Sequence, residues 1–137
     1  MSEQPTIAIV GHCGADAYSL SHLARRVAPQ ANIVVISDEA SLAAHRHARA
    51  LWFVNRVLDG AFAPGSGIDL IRRHAGTGKA TMALISNYAD AQQQAVVAGA
   101  VPGFGKSEIG SPRAVELLRS FIDRHATSDA TQALTGD

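Results

Sequence analysis

Polar side chains in this sequence stand where short apolar runs end: His12 after Thr6–Val10, Asn55 after Leu51–Val54, Ser86 after Thr81–Ile85, and Lys106 just past Ala100–Phe104. A lysine in such a place offers its ammonium to carboxylates or to a bound phosphate. Ser86 can donate to the same anion, or cap the following helix together with Asn87. Asn55 has no charge to give. It can hydrogen-bond and fix a loop, but it cannot accept a phosphoryl group as a carboxylate does, nor act as a strong Mg2+ ligand. The neighbours His12 and Cys13 permit metal or thiolate chemistry in principle. No Cys-x-x-Cys or His-x-x-x-His spacing accompanies them, so a structural or solvent-facing role is the expectation. The natural carboxylate for Lys106 is absent from the first strand end, where Gly11 and His12 stand, which leaves Asp59 as the conceivable partner.

Other motifs lead nowhere. Gly76-Thr-Gly-Lys79 has the look of a phosphate-binding loop, but Arg73 occupies the place of its first glycine and the segment runs into a strand. Gly11-His-Cys-Gly14 lacks the third glycine of a dinucleotide fingerprint. His45 and His47 are two apart on an expected helix, so they share no ligand face.

The chemistry-bearing residues converge only if the chain alternates strands with helices. Thr6–Val10, Asn32–Ile36, Leu51–Val54 and Thr81–Ile85 are too short and too continuously apolar for helices, and read as strands. A fifth strand around Ala100–Phe104 contains Pro102, which cannot donate to a ladder and favours an edge or a bulge. Between them fall a helix capped by Asp16 and closed by Pro29, an alanine-rich helix from Asp38 to about Ala48, a helix from Ile68 to His74, and one over Ala89–Ala98 stopped at Gly99. A last helix starts at Pro112 and ends near His125. This order predicts an α/β, flavodoxin-like three-layer sandwich with a parallel sheet of order 2-1-3-4-5. Gly11, His12, Asn55, Ser86 and Lys106 then meet in the crevice at the switch point. Residues 1–125 are expected to form one domain and 126–137 a disordered tail.

Twelve basic and twelve acidic residues cancel, which removes the electrostatic case for direct nucleic-acid binding. One cysteine excludes an internal disulfide and fits a reducing compartment. With neither a long apolar run nor a leader pattern, a cytoplasmic protein without a membrane span is expected.

Over residues 5 to 125 the chain resembles the receiver domains of bacterial two-component response regulators. The likeness rests on Leu51-Trp-Phe-Val-Asn55, on Ile85-Ser86-Asn87, on Gly99-Ala100 followed by Lys106, and on Gly67 ahead of Ile68-Asp-Leu-Ile71. In that family an aspartate after strand three takes a phosphoryl group from a histidine kinase, an acidic pair after strand one holds Mg2+, and a Thr or Ser and a Lys read the phosphate. Here the phosphoacceptor position is Asn55 and the acidic pair is Gly11 and His12. Ser86 and Lys106 alone match. The switch aromatic falls on Gly103, with Phe104 beside it, and Ser107 replaces the usual proline. The resemblance therefore implies an atypical receiver that needs no phosphorylation, no cofactor and no catalysis of its own.

Such a domain is expected to act by binding a protein partner, a histidine kinase or another regulator, or by pairing with itself as a homodimer. The expected surface is the face of helix four, strand five and helix five, represented by Gln92, Ala95, Arg113, Glu116 and Arg119. Two alternatives stay open: a small flavodoxin-like enzyme or ligand-binding protein using the crevice around Cys13, and a receiver phosphorylated at Asp59.

Overall fold

A computed structural model of the chain describes residues 4–63 and 65–135, with side chains as far as 125. Strands β1 (Thr6–Val10), β2 (Asn32–Ile36), β3 (Ala50–Asn55), β4 (Thr81–Ile85) and β5 (Val101–Phe104) form one sheet of order β2-β1-β3-β4-β5 with every pairing parallel. This is the expected flavodoxin-like order.

Every residue of β1 and β3 is buried, because both faces of these central strands are covered. Their side chains alternate between two cores. Ala8, Val10, Trp52, Val54 and Leu84 face a core that also holds Leu42, Leu70, Ile71 and Ala95. Ile7, Ile9, Leu51, Phe53 and Ile85 face the other, which Leu20, Leu23, Leu118 and Phe121 complete. Burial of each such large side chain stabilises the fold by about 1.5–3 kcal/mol.

The helices supplying these residues are α1 (Gly14–Val27), α2 (Glu39–Leu42), α3 (Gly67–Ala75), α4 (Ala89–Ala98) and α5 (Pro112–Thr135). Several boundaries differ from expectation. Cys13, rather than Asp16, precedes α1, and Asp16 lies in its first turn. Helix α2 ends at Leu42 and passes into a tighter turn over Ala43–His45. Asp38 caps it by accepting from the Ser41 amide at 2.7 Å. Leu42 is its one buried residue, so further α-helical turns of Ala, His and Arg would have nothing to bury. The Trp52 indole instead takes the His45 carbonyl at 3.0 Å. Helix α5 continues to Thr135, past the expected end at His125. The expected disordered tail thus falls on a segment whose backbone is helical to Thr135, and whose side chains lie outside those described.

Pro102 is exposed on the sheet's edge strand, and the β4–β5 register shifts between Ala83 and Ile85. Both expected accommodations of the proline occur together.

Candidate functional site

At the carboxyl end of β1 the backbone turns through Gly11 at φ +70°, a left-handed conformation that suits glycine. A Cβ there would lie 2.6 Å from Leu58 Cδ2. Leu58 is itself buried, and the next amide, Asp59 N, donates to the Gly11 carbonyl at 2.9 Å. The loop continues over β2, where Ala61 N donates to Ser37 O at 2.8 Å and Ala61 O accepts from Glu39 N at 3.2 Å. The long β3–α3 connection therefore folds back as a strap over the ends of β1 and β2. An acidic side chain in place of Gly11 would meet Leu58 where a metal would need space.

His12 follows and is buried. Its Nε2–H donates to the Phe53 carbonyl at 2.9 Å, while Nδ1 has no hydrogen-bond partner. Burial lowers its pKa to about 4; the Phe53 hydrogen bond opposes this shift and the nearby Lys106 charge adds to it. His12 is therefore neutral at pH 7 and serves as a core side chain, the structural role expected of it. Cys13 is exposed.

Asn55 is buried at the end of β3, and its Nδ2 donates to the carbonyls of Gly11 at 2.9 Å and Val57 at 2.7 Å. This is the expected loop-fixing role. Both amide protons are spent on holding the first turn of the strap to β1.

Lys106 does enter the crevice, but its carboxylate is Asp16, not Asp59. Lys106 Nζ lies 3.1 Å from Asp16 Oδ2. Partial burial pushes the Asp16 carboxyl upward, yet the hydrogen bond and charge of Lys106 outweigh this and hold it below the usual carboxylate range. Asp59 is exposed and does not line the cleft that Lys106 borders. The signal for Asp16 was its place in the first turn of α1, beside the same sheet end, and reading it as a helix cap concealed that.

The turn Lys106–Glu108 is pinned from two sides. Asn87 Oδ1 accepts from Ser107 N at 3.1 Å and Ser107 Oγ at 3.0 Å, and Glu108 Oε1 accepts from Gly105 N at 2.9 Å. Asn87 thus clamps the Lys106 turn instead of capping α4. Ser86 is buried, and its Oγ accepts from Tyr88 N at 3.2 Å. Beside these residues lies a cleft of about 630 Å3 lined by Asn55, Arg56, Ser86, Asn87, Tyr88 and Lys106 among others. It lies at the carboxyl ends of β3 and β4 and beside the turn after β5. The structure therefore brings Asn55, Ser86 and Lys106 together, and withdraws Gly11 and His12 beneath Leu58 and Phe53.

Gly103 and Phe104, the positions at which the resemblance places the switch, are both buried. Phe104 is buried and packs edge-on against Phe53 with ring centroids 5.5 Å apart. Gly103 lets β5 press against β4: a Cβ would overlap the Leu84 carbonyl. Gln92 occupies the junction. Its Nε2 lies within hydrogen-bond distance of the carbonyls of Leu84 (2.8 Å), Ser86 (3.1 Å) and Phe104 (3.3 Å), and its Oε1 accepts from Gly103 N at 3.2 Å.

The expected interaction surface needs correction at Gln92 and Ala95. Gln92 is half-buried in the clasp just described, and Ala95 is fully buried in the core, because it lies one helical turn from Ala91 on the sheet-facing side of α4. Arg113, Glu116 and Arg119 are exposed, with Arg113 Nε donating to Gly103 O at 2.9 Å. Val96, one turn beyond Gln92, is the exposed apolar residue on that flank of α4.

Among the described residues, no group of three or more His, Cys, Asp or Glu is placed to hold a metal ion. No described helix is long and apolar enough to cross a membrane. The arrangement offers an anion two cations and a hydroxyl, but offers a phosphoryl group no carboxylate nucleophile at the end of β3.

No family model matches the chain, and no curated protein matches it significantly. Solved structures do. The signal receiver domain of a DNA-binding response regulator from Colwellia psychrerythraea 34H superposes with a TM-score of 0.69 at 15% identity, covering 88% of this chain and 99% of that one. A response regulator from Thermotoga maritima gives 0.62 at 20% identity, with 91% and 99% covered. One from Burkholderia pseudomallei, carrying a phosphorylated aspartic acid, a calcium ion and citrate, gives 0.58 at 18% identity, with 98% and 76% covered. Taken with the strand order and the five helices around one parallel sheet, these superpositions establish that the chain has the response-regulator receiver fold.

Proposed function

We propose that the domain is an atypical receiver that signals by binding proteins without being phosphorylated and without catalysing a reaction. The observation that carries this reading is the Asn55 side chain. It stands at the end of β3, carries no nucleophile, and commits both amide protons to the Gly11 and Val57 carbonyls. The strap supports it by placing Leu58 against Gly11. Lys106, paired with Asp16, is a structural cation in this scheme.

Incubation with acetyl phosphate and Mg2+ is expected to leave the intact mass unchanged. Asn55→Asp is expected to acquire phosphate slowly at best, because no acidic cluster awaits the metal. A labile phosphoryl adduct on the unaltered chain, at Asp59 or elsewhere, would sink the proposal.

The partner-binding face is the flank of α4, β5 and α5, with Val96, Arg113, Glu116 and Arg119 as its accessible residues. Its partner is a kinase, another regulator, or a second copy paired through a two-fold axis on which Glu116 and Arg119 face each other's counterparts. Sedimentation across micromolar concentrations is expected to show self-association that Arg119→Glu weakens by about two- to thirtyfold, the range for the two solvent-exposed ion pairs that a two-fold axis creates. A chain that stays monomeric and also captures no partner from extract removes the interaction reading.

A further inference from the structure

A second cavity, of about 710 Å3, opens between α3 and α4 and is lined by Arg56, Val57, Ile68, Tyr88, Asp90 and Gln94 among others. Arg56, Val57 and Tyr88 also line the cleft that ends at Ser86 and Lys106, so the two spaces meet. Each lies within the size range of small-molecule sites.

The chemistry changes along this groove. At one end stand the Ser86 hydroxyl and Lys106, whose ammonium is paired with Asp16, and no carboxylate is among the lining residues. At the other, Ile68, Ala89 and Ala91 contribute apolar surface, and the one carboxylate is that of Asp90. Arg56 lies at the joint, its guanidinium 4.8 Å from the centre of the Tyr88 ring. No ion pair to Arg56 is made by any described residue. Tyr88 and Val57 are 62% and 60% exposed and put apolar surface beside the Arg56 guanidinium.

We propose that this groove binds a small amphipathic organic anion, with its charged group on Arg56 and its flat apolar body along Tyr88, Val57 and Ile68. Arg56 and Asp90, which line the same cavity, set the ligand's direction, since an anion is drawn to the first and repelled by the second. The stacked guanidinium is already oriented, so little of its freedom is lost on binding. This inference stands on the groove itself and is independent of the signalling reading.

The probe is 8-anilinonaphthalene-1-sulfonate, an aromatic body with one sulfonate, titrated into the 137-residue chain and followed by its fluorescence. N-phenyl-1-naphthylamine, which lacks the charge, is titrated alongside. Saturable binding at one site is expected, weakened by about tenfold in Arg56→Gln, the loss of one charge-assisted contact. Tyr88→Ala is expected to weaken it as well, and it spares the fold because the Tyr88 side chain makes no cap hydrogen bond to α4. Arg25→Gln, on exposed α1, is expected to bind as the unaltered chain does. Circular dichroism checks that each variant is folded. Non-saturating fluorescence overturns the proposal, as does equal affinity in Tyr88→Ala and Arg25→Gln. Uncharged dye binding as tightly as the sulfonate overturns it too. None of these results bears on whether the chain accepts phosphate.

Discussion

Gly103→Ala is expected to lower the unfolding free energy by about 3 kcal/mol, the upper part of the usual cost of forcing extra volume into a packed site. The added Cβ would overlap the carbonyl of Leu84 and lie 3.1 Å from Gln92 Oε1. The obstacle is backbone, which cannot rotate away as a flexible side chain would. Relief requires β5 to retreat from β4, at the expense of the 3.0 Å bond from Ser86 N to Phe104 O and of the Gln92 contacts. Gly103→Phe, which supplies the switch aromatic of the receiver pattern, is expected to be worse and not a repair. Urea denaturation monitored by Trp52 fluorescence measures both. A loss under about 1 kcal/mol for the alanine variant would mean that β5 yields easily, contrary to the clasp described.

Acid is expected to weaken the fold through His12. The unfolded chain takes up a proton near pH 6.5, whereas the folded state keeps His12 neutral down to about 4, chiefly because of burial. Between those values the unfolded state binds more protons, so stability falls as pH falls. The contribution is complete above about 6.5. It diminishes through the window and is exhausted near 4, for a total on the order of 3 kcal/mol. The half-buried His74, also lowered by burial, adds a change of the same sign. Subtracting the profile of His12→Gln isolates the His12 share. Unfolding free energies at pH 7 and pH 4.5 test it: the difference should shrink in the variant, and an identical slope in both chains would show that His12 does not titrate in this range.

What could be read from the sequence follows from where burial leaves a one-dimensional trace. Strands β1 to β4 are short continuous apolar runs, and such runs have few other places to go in a chain of this length. Pro102 and Pro112 mark an edge and a helix start because a missing N–H has the same meaning in any context. Alanine carries no such trace. Ala95 is compatible with either face of a helix, so its burial was not legible. Helix α2 stopped early because its apolar anchors ran out, which an alanine-rich composition does not display. Gln92 looked like a surface residue since its value lies in polar partners on two other strands. Asp16 was legible as an acidic residue near a helix start. Its approach to Lys106 was not, because that pairing depends on how α1 and the turn after β5 meet in space.

The strap over β1 and β2 also bears on what substitution can achieve. Aspartate at positions 11, 12 and 55 would give the chain the lettering of the receiver pattern. It would not give it the site. Leu58 already packs against Gly11, and the amides of Asp59 and Asn55 already occupy the Gly11 carbonyl. Each such aspartate taken alone meets a filled space or breaks a hydrogen bond. The strap therefore acts as a lock on the sequence: with it in place, a point change to aspartate at any one of these positions costs stability before it could build a metal or phosphoryl site.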